Sequence, residues 1–315
     1  MKSKTPLLFG GIFVLLVVIF LVTSFRPREI SKGAVPLFEG GKPDIDKLEL
    51  SNNRKGTMIV ENQNGVWNII APFEYKANQT SVKNFIDSIL DAVIDGVVSE
   101  SIEAQGEYSV SDSTGTILKL YSSGELVLDA IIGKTSSHVG HTYARKNDSN
   151  EICIWRGFFN PFGSKDINDW RDKTLYSFNP DDIISLIAVK GSEESRELIL
   201  ADSLWIYKEN GKEKPVDQKK VSGLISLFAS LNCDAFADEK DIGRVVEKGP
   251  DTKVSFSVRN GDTHSFDVWT PGEDDSGNRY LVRKENGDIL LRFYSYRGEQ
   301  IIINYDKLKP DETES

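Results

Sequence analysis

Sulfur and imidazole are scarce in this chain. Its 315 residues include two cysteines, Cys153 and Cys233, and three histidines, His138, His141 and His264. Two thiols exclude a disulfide-stapled framework. One bridge in an oxidising compartment is the most they could form, and buried thiols are the expectation. A metal centre needs three or four converging His, Cys or carboxylate ligands. His138 and His141 stand three apart, and on a strand that spacing sends side chains to opposite faces, so polar loop histidines are expected. Positive charge is also short: 38 Lys and Arg stand against 48 Asp and Glu, a net charge of −10. Residues 1–28 contain only positive charges, so the rest of the chain is more acidic still. That balance opposes binding to nucleic acid or to an anionic membrane surface.

Catalytic signatures are missing as well. Gly133-Lys134-Thr135 invites a nucleotide-binding reading, but a P-loop needs a glycine five residues before the Gly-Lys pair, and Leu128 stands there. Without that glycine there is no backbone cradle for phosphates. No serine sits in a Gly-x-Ser-x-Gly elbow. The acidic groups Asp181-Asp182, Glu193-Glu194 and Glu273-Asp274-Asp275 lie beside Gly and Ser and read as solvated loops. Calcium at Glu273-Asp274-Asp275 would lack the spacing of an EF-hand. Asn78-Gln79-Thr80 and Asn147-Asp148-Ser149 match glycosylation sequons but read as a helix cap and a turn. No catalytic residue, metal or cofactor is expected, and the chain is not expected to be an enzyme.

One long apolar run is present. Pro6 to Phe25 carries no charge and is dominated by Leu, Val, Ile and Phe. As a helix it would be about 30 Å long, the thickness of a bilayer's hydrocarbon core. Lys2 and Lys4 would also suit a signal peptide. The run is longer than a signal core, however, and Val22-Thr23-Ser24-Phe25 lacks a small-x-small cleavage site. No cysteine follows, which excludes a lipoprotein-type anchor. The expectation is an uncleaved transmembrane helix over residues 6–25, contacting the lipid bilayer. A cytoplasmic tail over 1–5 and a linker over 26–43 would flank it, the linker rich in Pro and Gly. The expected location is the cell (inner) membrane, single-pass, with the bulk extracytoplasmic.

The rest reads as one paragraph written twice, 138 residues apart. Asp44-Ile45-x-x-Leu48 returns as Asp182-Ile183-x-x-Leu186, Trp67 as Trp205, and Arg145-Lys146 as Arg283-Lys284. Ala77-Asn78-Gln79-x-x-Val82 returns as Val216-Asp217-Gln218-x-x-Val221. In the first copy Leu48–Leu50, Thr57–Val60 and Val66–Ile70 read as strands, with Asn64-Gly65 as a hairpin turn. Asn78 caps a helix carrying Val82, Phe85, Ile86, Ile89 and Val93 that Gly96 ends. A meander of Ile117–Tyr121, Leu126–Ile132, His141–Arg145 and Ile152–Trp155 follows. The second copy repeats this order. Its helix, capped by Asp217, carries Val221, Leu224, Ile225, Phe228 and Leu231, and a last strand spans Gln300–Tyr305.

The expected fold class is therefore α+β: an N-terminal transmembrane helix, then two modules, each an antiparallel sheet with one main covering helix. The modules span 44–155 and 181–308, with an aromatic junction over 156–180 and a polar tail over 309–315. Trp155, Phe158, Phe159, Phe162 and Trp170 stand in or beside the junction, with Tyr176 and Phe178 after them. These rings suit a partner-binding surface, since exposed aromatics make hot spots. Packing the modules together would use them equally well.

The repeated Trp-strand-Asx-Gln-x-x-Val-helix block resembles the bacterial domain-of-unknown-function 4340 family. So do Leu126-Val-Leu-Asp-Ala-Ile-Ile-Gly133, Trp170-Arg171-Asp172-Lys173-Thr174-Leu175 and Phe178-Asn179-Pro180-Asp181-Asp182-Ile183. The resemblance runs from residue 44 to about 305. It implies a single-pass membrane protein linked to auxiliary components of gliding-motility-type ABC transporters, and it carries over no catalytic residue. The expected function is a non-enzymatic accessory or scaffold protein for a membrane transport complex, where two like modules suit bivalent engagement. The alternative is an extracytoplasmic module for a small ligand or wall glycan, with Trp67, Trp205 and Trp269 as candidate rings. A hydrolase would need a cluster of acid, base and nucleophile that the sequence does not reveal.

Overall fold

The structure, a computed structural model, describes residues 15, 33–157, 159, 166–191, 194–272 and 279–311. It divides into two compact units, Met1–Asp172 and Lys173–Ser315.

In the first unit β1 (Val35–Pro36) precedes a meander of β2 (Lys47–Asn52), β3 (Gly56–Gln63), β4 (Val66–Ala71) and β5 (Tyr75–Lys76). Helix α1 (Gln79–Leu90) follows, then β6 (Val93–Ser99). β7 (Thr116–Ser122), β8 (Glu125–Thr135), β9 (His141–Lys146) and β10 (Ile152–Arg156) complete the unit. All ten strands join one sheet in the order β1-β6-β10-β9-β8-β7-β2-β3-β4-β5. Alternation sets which face is buried. Leu48 lies opposite Val60 and Leu120, and Leu50 opposite Met58 and Leu118. These side chains are buried, and α1 adds Val82, Phe85, Ile86 and Ile89 to the same core. Asn78 caps α1, its Oδ1 accepting from the Ser81 N–H at 2.9 Å.

The second unit contains β11 (Thr174–Ser177), β12 (Ile183–Lys190), β13 (Glu194–Ala201), β14 (Leu204–Glu209) and β15 (Lys212–Lys214). Helix α2 (Gln218–Ala229) leads to β16 (Ser230–Asn232), β17 (Ala235–Phe236) and helix α3 (Glu239–Glu247). β18 (Thr252–Val258), β19 (Thr263–Trp269), β20 (Tyr280–Lys284), β21 (Leu290–Phe293) and helix α4 (Ser295–Ile301) follow. The main sheet runs β15-β14-β13-β12-β18-β19-β20-β21-β17, and β11 pairs with β16 in a small separate sheet. Read from its other end, the first sheet runs β5-β4-β3-β2-β7-β8-β9-β10-β6 before β1. The two orders agree strand for strand over nine strands. Each unit also ties its helix cap to its own C-terminal segment. The Asn78 N–H donates to the Trp170 carbonyl at 2.7 Å, and the Asp217 N–H to the Leu308 carbonyl at 2.8 Å.

Several expectations are corrected. The structure is mostly β, with 45% strand against 20% helical in three sheets, so α+β is not its class. The strands outrun their apolar centres because the backbone ladder continues through polar residues, as in Glu125–Thr135. α1 ends at Leu90, and Val93 and Gly96 belong to β6, where both pair with β10. Leu231 likewise leaves α2 for β16. Gln300–Tyr305 is not a strand: α4 runs to Ile301, and a 3-10 turn spans Tyr305–Lys307. The expected transmembrane helix over 6–25 lies, apart from Leu15, outside the described residues. Among the described residues no helix is long and apolar enough to cross a membrane. The helix-anchored architecture and the single-pass inner-membrane placement are corrected on that finding. The tail over 1–5 also lies outside the described residues.

Candidate functional site

The junction rings are interior. Trp155 at the inward face of β10 is 0% exposed, Phe159 2% and Trp170 2%. Trp155 meets Phe159 edge-on at 6.3 Å, and Trp170 meets Phe85 of α1 edge-on at 5.4 Å. All three belong to the core of the first unit. A partner cannot reach them, which corrects the reading of these three as a binding surface. Phe158 and Phe162 lie outside the described residues. Tyr176 and Phe178 belong to the second unit, where Phe256 and His264 surround them.

The Trp170-Arg171-Asp172 motif is a structural clasp. Trp170 offers its carbonyl to the α1 cap. Arg171 lays its guanidinium over the Tyr75 ring at 4.1 Å and the Phe73 ring at 4.9 Å. Asp172 pairs with Lys76 at 2.8 Å, and its N–H donates to the Lys76 carbonyl at 2.9 Å. The next residue turns into the second unit, where Lys173 Nζ donates to the Asp234 carbonyl at 3.2 Å.

Among the described residues the histidines do not assemble a metal centre. His141 Nδ1 lies 2.9 Å from the Val139 carbonyl oxygen and Nε2 lies 3.0 Å from Asp95 Oδ2. Asp95 also accepts from Arg156, whose Nε is 3.1 Å away. The hydrogen bond from Arg156 holds the Asp95 carboxyl below its usual range, with His141 acting in the same direction. Among the described residues no group of three or more His, Cys, Asp or Glu is placed to hold a metal. Glu193 and Glu273-Asp274-Asp275 lie outside the described residues. Cys153 is a buried thiol in the first unit and Cys233 in the second.

Of the three tryptophans of the ligand-binding alternative, Trp269 is buried and Trp67 and Trp205 are half-buried. The backbones of Trp67 and Trp205 are bound by Gln79 and Gln218. Trp269 is 2% exposed and its Nε1 donates to the Lys248 carbonyl at 2.7 Å. None of them lines either of two cavities in the first unit. One of these, about 240 Å³, is apolar and lies over Ile94, Gly96, Cys153 and Trp155. A second, about 310 Å³, is polar and includes Arg54, Lys55, Gly133 and Lys134. The sequence offered one signal for the polar cavity, the Gly133-Lys134 pair, at the end of a strand rather than before a helix. Its other walls come from segments distant along the chain.

No curated protein and no solved structure matches this chain. A family model described as "Domain of unknown function (DUF4340)" matches residues 67–252, from Trp67 in β4 of the first unit to Thr252 in β18 of the second. That match covers more than half of the chain, and the protein therefore belongs to the DUF4340 family.

Proposed function

We propose that this protein is a non-enzymatic scaffold built as a tandem pair of like β units, holding a protein partner by two similar surfaces. The observation that carries the reading is the shared construction of the units. Nine strands follow one order in both, and the same Gln-to-Trp and cap-to-C-terminus hydrogen bonds recur. Equivalent positions are also exposed and apolar: Val66 opens β4 at 40% exposure and Leu204 opens β14 at 60%. Linked sites of this kind raise avidity without new contacts. The resemblance to transporter-linked proteins makes a subunit of a membrane transport complex the partner to seek.

The test is recovery of tagged full-length protein from its own cells after mild cross-linking, with mass spectrometry of what accompanies it. The scaffold reading expects a stoichiometric transport subunit. It expects weaker recovery from Val66→Asp or Leu204→Asp, and none from the double variant. Recovery of the protein alone under repeated mild conditions would overturn the reading.

A further inference from the structure

The polar cavity of the first unit has one sign of charge. It is walled by the β2–β3 turn at Asn52–Lys55, the loop before β7 at Ser109 and Ser113–Thr116, and the end of β8 at Ile132–Lys134. Arg54, Lys55 and Lys134 line it, and no lining residue is acidic. In a chain of net charge −10 this is a local reversal.

The walls are held together by specific contacts. Asn52 Oδ1 accepts from the N–H groups of Arg54 at 3.0 Å and Lys55 at 2.9 Å, shaping the turn. Asn53 Nδ2 donates to the Ser113 carbonyl at 3.2 Å, joining the turn to the loop. Two glycines let that loop lie against β8. A Cβ at Gly133 would collide with the Tyr108 carbonyl oxygen, and one at Gly115 with the Ile131 side chain. Lys134 Nζ lies over the Tyr108 ring, 5.8 Å from its centroid. Among the described residues neither Arg54 nor Lys134 has a carboxylate partner.

The second unit closes the corresponding corner from within. Thr116 faces Ile132 across β7–β8, as Thr252 faces Val268 across β18–β19. Counting outward from these pairs, Gly115 corresponds to Asp251 and Lys134 to Thr270. The Asp251 carboxylate accepts from the Thr270 N–H at 2.8 Å and from the Thr270 hydroxyl at 2.9 Å. The first unit has no side chain where that carboxylate sits, and a cation where the hydroxyl sits.

We propose that this cup binds an oxyanion: a phosphate group, either free or carried on a small organic phosphomonoester. Arg54 and Lys134 supply the charge, and the Ser109 and Ser113 hydroxyls supply further donors. The acceptor that the second unit provides internally as Asp251 is provided here by the ligand. This inference does not depend on the scaffold reading, and either can be overturned while the other stands.

The test is amide NMR of the full-length protein titrated with inorganic phosphate, with glycerol phosphate and with chloride, all at one ionic strength. The expected result is saturable shifts confined to Lys55, Gly115, Gly133 and their neighbours, absent with chloride. Arg54→Ala and Lys134→Ala should each weaken binding about tenfold, the loss of one charge-assisted hydrogen bond. Lys83→Ala, on the exposed side of α1, should leave it unchanged. Tighter binding of glycerol phosphate would identify a phosphomonoester, and equal binding the free anion. Shifts that chloride reproduces would overturn the proposal. So would unchanged binding in an Arg54→Ala/Lys134→Ala double variant that retains the wild-type unfolding midpoint.

Discussion

Gln79 takes both backbone polar groups of Trp67. Its Oε1 accepts from the Trp67 N–H at 2.8 Å and its Nε2 donates to the Trp67 carbonyl at 2.8 Å. Gln218 binds Trp205 in the same way, at 2.9 Å for each bond. In each unit the first residue of the covering helix thereby acts as one further strand residue beside β4 or β14. The side-chain amide is suited to this, since it carries a donor and an acceptor side by side.

Replacing either glutamine should therefore loosen its own unit. Gln79→Leu leaves the Trp67 N–H unpaired, while its carbonyl keeps the Ala77 N–H at 3.0 Å. Gln218→Leu removes the bonds to both the Trp205 N–H and its carbonyl, and each change costs about 1–3 kcal/mol. Urea unfolding of each variant measures this. Midpoints equal to wild type would show that water replaces the amide at no cost.

Asp202 and Ser203 turn β13 into β14 with φ of 46° and 71°, the conformation that Asn64 and Gly65 adopt at 55° and 86° in the first unit. The first unit has glycine at the second position of the turn, where the second unit has Ser203. Left-handed backbone is costly for a residue with a Cβ. Ser203→Gly should raise the stability of the second unit by about 1 kcal/mol. A thermal midpoint that stays level or falls would contradict that expectation.

Arg145 and Arg283 occupy equivalent repeat positions with different surroundings. Arg145 is 6% exposed; its Nε donates to the Val110 carbonyl and its Nη2 to Asp112, both at 2.7 Å. Its Nη1 donates to the Asn147 carbonyl at 3.1 Å, so one guanidinium joins two loops. Among the described residues Arg283 pairs with Asp267, at 3.4 Å, and lies over the Trp269 ring. A lysine ammonium cannot reproduce the spread of donors at position 145. Arg145→Lys should cost about 1–3 kcal/mol and Arg283→Lys less than about 0.5 kcal/mol. Equal losses in denaturant unfolding would refute the distinction.

Tyr176 couples the second unit to alkaline pH. Its hydroxyl donates to the Ser265 carbonyl at 2.9 Å, and burial, aided by the Glu285 charge, pushes its pKa from 10.0 up to about 12. A raised folded-state value means that the protonated phenol stabilises the fold. That contribution is complete below pH 10 and is lost as pH rises through about 12. Tyr176→Phe should remove this part of the alkaline destabilisation and cost about 1 kcal/mol at neutral pH. Ultraviolet titration should show one tyrosine fewer ionising late. An unaltered alkaline profile in the variant would rule the coupling out.

Much of the local structure was legible in the sequence. Asn78 and Asp217 cap helices, Asn64-Gly65 turns a hairpin, and the central residues of most meander strands stand where alternation put them. The misread segments are those where a local pattern fits two conformations. Val93 continues the helical spacing from Ile89, yet its backbone finds partners in Val35–Pro36 and Trp155–Arg156. Gln300–Tyr305 is apolar enough for a strand but turns as the end of α4 and a 3-10 segment. The polar cup was not legible, because Asn53 and Ser113, which join two of its walls, stand 60 residues apart.

The sequence by itself determined the acidic balance, the scarcity of metal and thiol ligands, the repeat spacing and the helix caps. Each of these is either a property of composition or a contact among residues a few positions apart. Only the tertiary structure decided that the chain is mostly β, that Trp155, Phe159 and Trp170 are core, and that equivalent corners carry Lys134 in one unit and the Asp251–Thr270 pair in the other. Those outcomes depend on which distant strands share a ladder and which side chains the paired sheets enclose. Aromatic rings are equally suited to a core and to an interface, and burial is settled by the neighbours that folding brings to them.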